Sequence, residues 1–177
     1  MAGSYIFMTR VIIFIDGSNF YHSLKSSFSR VNLDIELFCN YLVNNNDLIQ
    51  INYYTAPLNQ LDNELEYSRQ QKYFNYLSKI KRLCLYFGRL EKRNNNHKTE
   101  KGVDVKLAID LLSLAYNNKY DIAILVSNDS DFVPAVKEVQ LLNKKVYNVS
   151  FPATKCYHLN RICDKTIKID DVSQFIK

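Results

Sequence analysis

Residues 11–15, Val-Ile-Ile-Phe-Ile, are apolar at every position, and the run ends abruptly at Asp16. A strand with one wet face alternates apolar and polar residues. A strand without alternation is covered on both faces, as in a parallel sheet flanked by helices. A second run of this kind, Ile122-Ala-Ile-Leu-Val126, is followed by Ser127-Asn-Asp129. Spacing predicts further strands over 48–55, 83–89, 145–150 and 166–169. It predicts helices over 18–28, 34–43, 62–80, 103–116, 131–142 and 154–162. Strands alternating with long helices pair in parallel through right-handed crossovers. The expected fold class is α/β, a three-layer α/β/α sandwich around a central, mostly parallel sheet. In such sheets ligands bind beyond the carboxyl ends of the strands, near the point where strand order reverses.

The chain has 177 residues, enough for one domain that buries its own core. Only four Gly and three Pro occur, and no linker or repeat breaks the sequence, so residues 10–177 read as a single domain. Residues 1–9 read as an N-terminal extension, with Met1-Ala-Gly-Ser as an expression remnant ahead of a start at Met8. The hydrophobic fraction of 47% and charged fraction of 23% exclude collagen-like, disordered and coiled-coil classes. No apolar run approaches the roughly 18 residues of a membrane helix, and no partnership with a membrane is expected. The N-terminus lacks a secretory pattern, and Cys39, Cys84, Cys156 and Cys163 form no CxxC pair, so reduced thiols and a cytoplasmic location are expected. Cys156, His158 and Cys163 lack the second ligand pair of a structural zinc site.

Three places put acids where the strand-end rule looks. Asp16 ends the first strand, Asp129 and Asp131 follow the 122–126 strand, and Asp104 opens the 103–116 helix. Each has a plain structural reading. Asp131 can cap a helix that has Pro134 at its third position, Asp104 can offset a helix dipole, and Asp16 can close a turn. Capping does not explain why all three places share one sheet edge. Converging carboxylates repel one another unless a cation neutralises them. An all-oxygen donor set suits Mg²⁺ or Mn²⁺ better than Zn²⁺, and such a site activates water and stabilises charge in phosphoryl transfer. Asp110 shares the apolar face of its helix with Leu107 and Leu114, and a structural role is expected for it.

The formal charge is +5, and between Lys79 and Lys106 nine Lys and Arg stand against three acids. That stretch is either a solvated loop or a phosphate-binding rim, and charge alone leaves both readings open.

The segments Phe14-Ile-Asp-Gly-Ser-Asn-Phe20, Lys101-Gly-Val-Asp-Val-Lys-Leu-Ala-Ile-Asp110 and Leu125-Val-Ser-Asn-Asp-Ser-Asp-Phe-Val-Pro134 resemble, in order and spacing, the NYN domain family in its bacterial LabA-like branch. The resemblance spans residues 10–170. It implies a PIN-like sandwich with the first strand central and metal-dependent ribonuclease activity, with Asp16, Asp104, Asp129 and Asp131 as the acidic residues and Asn19 beside them. Asn128 departs from a frequent Gly, and Asn is a residue that tolerates a left-handed turn. Asn143 stands likewise where a Gly is usual.

The reading that follows is a hydrolase, an endoribonuclease. Asp16, Asp104, Asp129 and Asp131 would be catalytic and hold Mg²⁺ or Mn²⁺. Asn19 would orient Asp16 or the phosphate, Ser127 would donate to a phosphate oxygen, and Lys101 would offset charge on the scissile group. Arg89, Lys92, Arg93 and Lys98 would track the backbone of single-stranded RNA. Tyr54, Tyr86 and Phe87 are the aromatic candidates for base stacking, with core packing preferred for Phe87. The alternative is a non-catalytic module that binds nucleic acid or protein on the same fold. A phosphatase or nucleotide hydrolase is disfavoured, because no DxDx(T/V) motif follows the first strand and no GxxxxGK[ST] loop occurs. Self-association is left open.

Overall fold

The structure is a computed structural model and describes residues 8–92 and 98–176. Residues 1–7, Arg93 and the Asn94-Asn-Asn segment, which the sequence suggests is a loop, lie outside the described residues. At Lys92 and Lys98 only the backbone is described.

The chain runs β1 (Arg10–Asp16), α1 (Gly17–Phe28), α2 (Ile35–Val43), β2 (Asp47–Thr55), α3 (Glu64–Leu77), β3 (Leu83–Phe87), β4 (Arg89–Lys92), β5 (Lys98–Lys101), α4 (Val103–Tyr116), β6 (Ile122–Val126), α5 (Val133–Leu141), β7 (Lys145–Ser150), α6 (Tyr157–Ile162) and β8 (Lys165–Lys168). Six strands form one sheet in the order β3-β2-β1-β6-β7-β8, and every neighbouring pair is parallel. The continuous apolar strands β1 and β6 lie side by side at its centre, as their lack of alternation requires.

Side chains leave the sheet on alternate faces and build two cores. Ile13, Ile15, Ile51 and Ile124 pack under α1, α2 and α3 through Phe20, Phe38, Phe74 and Leu77. Ile12, Phe14, Ala123 and Leu125 pack under α4, α5 and α6 through Leu107, Leu111, Val136 and Leu159. These are the three expected layers. Strand order reverses between β1 and β6, so the carboxyl ends of these two strands flank the switch point.

The helices have local reasons to start where they do. Asp34 accepts from the Leu37 N–H at 3.1 Å and caps α2, and Asn63 does the same for Glu66 at α3. Asn143 adopts φ 59°, so Asn supplies the left-handed turn before β7. Asp110 ties α4 to the sheet, accepting from the Tyr54 hydroxyl at 2.9 Å and pairing with Lys106 at 2.5 Å. That is the structural role expected of it.

Two differences from the sequence reading matter. The basic stretch is not a plain loop, because β4 and β5 pair as an antiparallel ribbon outside the main sheet. β3 accordingly stops at Phe87 instead of Arg89. The four cysteines are unbridged, with Cys84 exposed and the other three buried. Among the described residues no helix is long and apolar enough to cross a membrane.

Candidate active site

β1 delivers Asp16 to the switch point, 1% exposed. Its carboxylate caps α1. Oδ1 accepts from the Asn19 N–H at 3.1 Å, and Oδ2 accepts from Asn19 Nδ2 at 2.6 Å. Gly17 makes this turn possible by its smallness, since a Cβ there would lie 2.6 Å from the Tyr53 ring and 2.8 Å from the Tyr54 carbonyl. Asn19 therefore orients Asp16.

β6 delivers Ser127 opposite. Its hydroxyl donates to Asp16 Oδ2 at 3.2 Å and accepts from the Asp129 N–H at 3.1 Å. The Ser127 proton is thus engaged by Asp16, not presented to a ligand. Asp129 Oδ1 in turn accepts from the Asp131 N–H at 2.9 Å and caps a 3-10 turn, Ser130–Phe132, that leads into α5. Asp131 does not cap α5: Asp129 caps the 3-10 turn before it, α5 starts at Val133 without a side-chain cap, and Pro134 falls at its second position. Asn128 is not in a left-handed turn; its side-chain amide donates to Ser23 Oγ at 2.7 Å, and Ser23 donates to the Asn19 carbonyl at 2.6 Å. One hydrogen-bonded circuit therefore holds the ends of β1 and β6 together.

The β4–β5 ribbon and Gly102 deliver the third part. Gly102 has φ 82° and stands at the start of α4, so Asp104 falls in the first turn. Gly88 lets the ribbon dock, since a Cβ there would lie 2.6 Å from both the Lys101 carbonyl and Val103 Cγ2.

The acids affect one another. Burial pushes the Asp16 carboxyl above its usual range, against the Asn19 and Ser127 hydrogen bonds, and the Asp129 charge adds to the rise. Asp104 is raised by burial, then by the charges of Asp16, Asp129 and Asp131. Glu100 on β5 is raised by burial, then by Asp16, with the Ser18 hydroxyl opposing and Asp104 adding. Sequence reading missed Glu100. It sits in a run of cations, and only the ribbon geometry, with Glu100 opposite Leu90, turns it toward the acids.

The four acids assigned from sequence thus share one field at one sheet edge. Their oxygen donors, with the repulsion that a cation would relieve, fit a hard divalent ion. A finished cage is not present: among the described residues no three Asp, Glu, His or Cys side chains stand close enough to hold a metal. A groove of about 500 Å³ lies elsewhere, along Ile109, Leu112, Tyr116 and Leu141 on α4 and α5, away from the strand ends that carry the acids.

Of the remaining candidates, Arg89 pairs with Glu91 at 2.9 Å on the open ribbon, and Lys101 stands opposite it. Arg93 lies outside the described residues. Tyr54 is buried and stacks on Tyr86 at 4.9 Å, while Lys106 covers the Tyr86 ring at 4.9 Å. Phe87 reverses expectation. It is 55% exposed at the end of an edge strand, with the Phe74 ring of α3 against it.

The family model of the NYN domain matches residues 10–170. The chain belongs to the NYN domain family. Its members are generally nuclease-like. The chain is 24% identical to the low amplitude and bright protein LabA of Synechococcus elongatus over 171 residues, covering 96% of this chain and 88% of LabA. A stretch of 72 residues is 33% identical to the uncharacterized protein MJ0482 of Methanocaldococcus jannaschii, covering 41% of this chain and 30% of that protein. VPA0982 of Vibrio parahaemolyticus, a protein of unknown function, superposes with a TM-score of 0.78 at 21% identity over 97% of this chain and 98% of its own. At that identity the likeness is one of fold.

Proposed function

We propose that this NYN domain is a metal-dependent endoribonuclease acting on single-stranded RNA. The observation that carries the proposal is the circuit Asn19–Asp16–Ser127–Asp129 at the switch point, with Asp104, Asp131 and Glu100 in its field. Capping alone would not bury Asp16 against other acids, at a cost that raises its pKa.

Asp16, Asp104, Asp129 and Asp131 would hold Mg²⁺ or Mn²⁺. When bound, the ion supplies charge neutralisation at the phosphate and a more acidic water. The chain's own groups do the rest. Asn19 and Ser127 fix both oxygens of Asp16, so the ligand does not reorganise as charge develops. One of these carboxylates positions the attacking water and takes its proton at a carboxylate oxygen. The water oxygen forms a bond to phosphorus, the bond to the leaving ribose oxygen breaks, and that oxygen takes a proton from solvent. Arg89 and Lys101 on the ribbon hold the strand's phosphates.

A non-catalytic binding module is the second reading, and the lack of a preformed cage among the described residues favours it. Cleavage of labelled single-stranded RNA separates the two. We expect cleavage in Mg²⁺ or Mn²⁺, none in EDTA, and recovery when the metal is restored. Cleavage undiminished in chelator contradicts the site.

A further inference from the structure

We propose that the exposed ring of Phe87 is a stacking platform for a nucleobase of the bound single strand, an inference that rests on the nuclease reading above. The other two aromatic candidates for stacking are taken up by the fold, Tyr54 by burial and Tyr86 by stacking on Tyr54 under Lys106. Phe87 has the same parity as Leu83 and Leu85, which pack against the core, yet its ring stays 55% exposed. Its backbone is fixed by the sheet. Phe87 pairs with Thr55, and the next residue, Gly88, donates its N–H to the Thr55 carbonyl at 2.8 Å. The buried Phe74 ring supports it from one side, with centroids 5.1 Å apart and planes at 60°.

Its position suits the substrate. β1 pairs Asp16 with Tyr54, and β2 pairs Thr55 with Phe87. The ring therefore lies one residue beyond the level of Asp16 and two strand spacings, about 10 Å, across, on the α3 face, whereas Asp16 has the parity of Ile12 and Phe14 on the α4 face. The ribbon with Arg89 and Lys101 rises directly after it, docked through Gly88. A strand whose phosphate lies at the acids would cross the carboxyl ends of β2 and β3 and lay the base of a nearby nucleotide over Phe87. Stacking accepts any base but needs the base unpaired, so the platform selects single strands without reading sequence.

The chain contains no Trp, so Phe87→Trp installs the only indole. We expect its fluorescence to be quenched when a single-stranded RNA oligonucleotide binds in Ca²⁺. An abasic oligonucleotide of the same length should bind by anisotropy without quenching. Phe87→Leu keeps a side chain against Phe74. It should melt with the wild type, weaken RNA binding on the order of tenfold, and raise KM with kcat little changed, while Phe87→Tyr restores both affinity and KM. An unquenched indole in a saturated complex overturns the platform, as does a folded Phe87→Leu variant with wild-type affinity and KM. Wild-type protein that neither binds nor cleaves RNA overturns the nuclease reading and the platform together. Cleavage by the wild type with no effect of Phe87→Leu overturns the platform alone.

Discussion

Asp16 is the residue in which fold and function conflict most directly. It caps α1, fixes the meeting of β1 and β6 through Ser127, and yet is buried beside other acids. Asp16→Asn removes the charge while leaving an oxygen for the Asn19 N–H. We expect this variant to lose cleavage. Its melting temperature in metal-free buffer should match or exceed that of the wild type, as measured by scanning calorimetry, because the desolvated charge is gone. A loss of several degrees would show that the carboxylate serves the fold first. Asp16, Asp129 and Asp131 were legible because polar residues stood where apolar strands end, Asp104 because it opens a helix at the same edge, and Asn19 through the resemblance to the family. It did not reveal that Asp129 is the cap, or that Ser127 is bound to Asp16. The first depends on a single 3-10 turn that no residue pattern announces, and the second on the pairing of β1 with β6, whose ends are distant in sequence.

The β4–β5 ribbon is the element that sequence reading could not find. The central strands carried an apolar signal because both their faces are buried. The ribbon reads Arg-Leu-Glu-Lys and Lys-Thr-Glu-Lys, lies outside the main sheet, and carries little apolar pattern to recognise. Glu100 and the exposure of Phe87 were hidden with it. Gly88 is where the ribbon meets the rest of the protein. We expect Gly88→Ala to push the Lys101 carbonyl and Val103 away and so move Asp104. Cleavage should fall by an order of magnitude or more, as misplacement of about 1 Å can do. The ribbon is peripheral, so global stability should change little, and unfolding in urea checks this. A Gly88→Ala enzyme with wild-type kcat would mean that the ribbon does not position Asp104.

For the whole molecule, the balance of acids sets how stability depends on pH. Asp16, Glu100 and Asp104 have folded pKa values above their unfolded ones, so the folded state binds more protons and stability falls as pH rises through that window. Asp121 is the opposite case. The Arg10 hydrogen bond holds its carboxyl well below the usual range, so its contribution is present at neutral pH and lost as pH falls below about 4. That pair is partly exposed, and its worth is about 1 kcal/mol or less. We expect the metal-free protein to melt highest in mild acid, with added Mn²⁺ flattening the decline toward neutral pH. A melting temperature that rises steadily from pH 5 to 8 in chelator would show that the acids do not strain the fold. The buried parallel strands, the three layers and the acid-bearing edge could be argued from sequence, since burial on both faces and alternation of strands with helices point to them, and the central place of β1 followed from the resemblance to the family. The last strand was expected near 166–169, but its place at the edge of the sheet and the groove on α4 and α5 were not, because they depend on packing between distant segments. The most direct test of the acidic site is a crystal soaked in Mn²⁺ and read by anomalous scattering. We expect a peak between Asp16 and Asp129, absent from a crystal of Asp129→Asn; Mn²⁺ bound only elsewhere, in crystals of an enzyme that needs it for cleavage, would contradict the site.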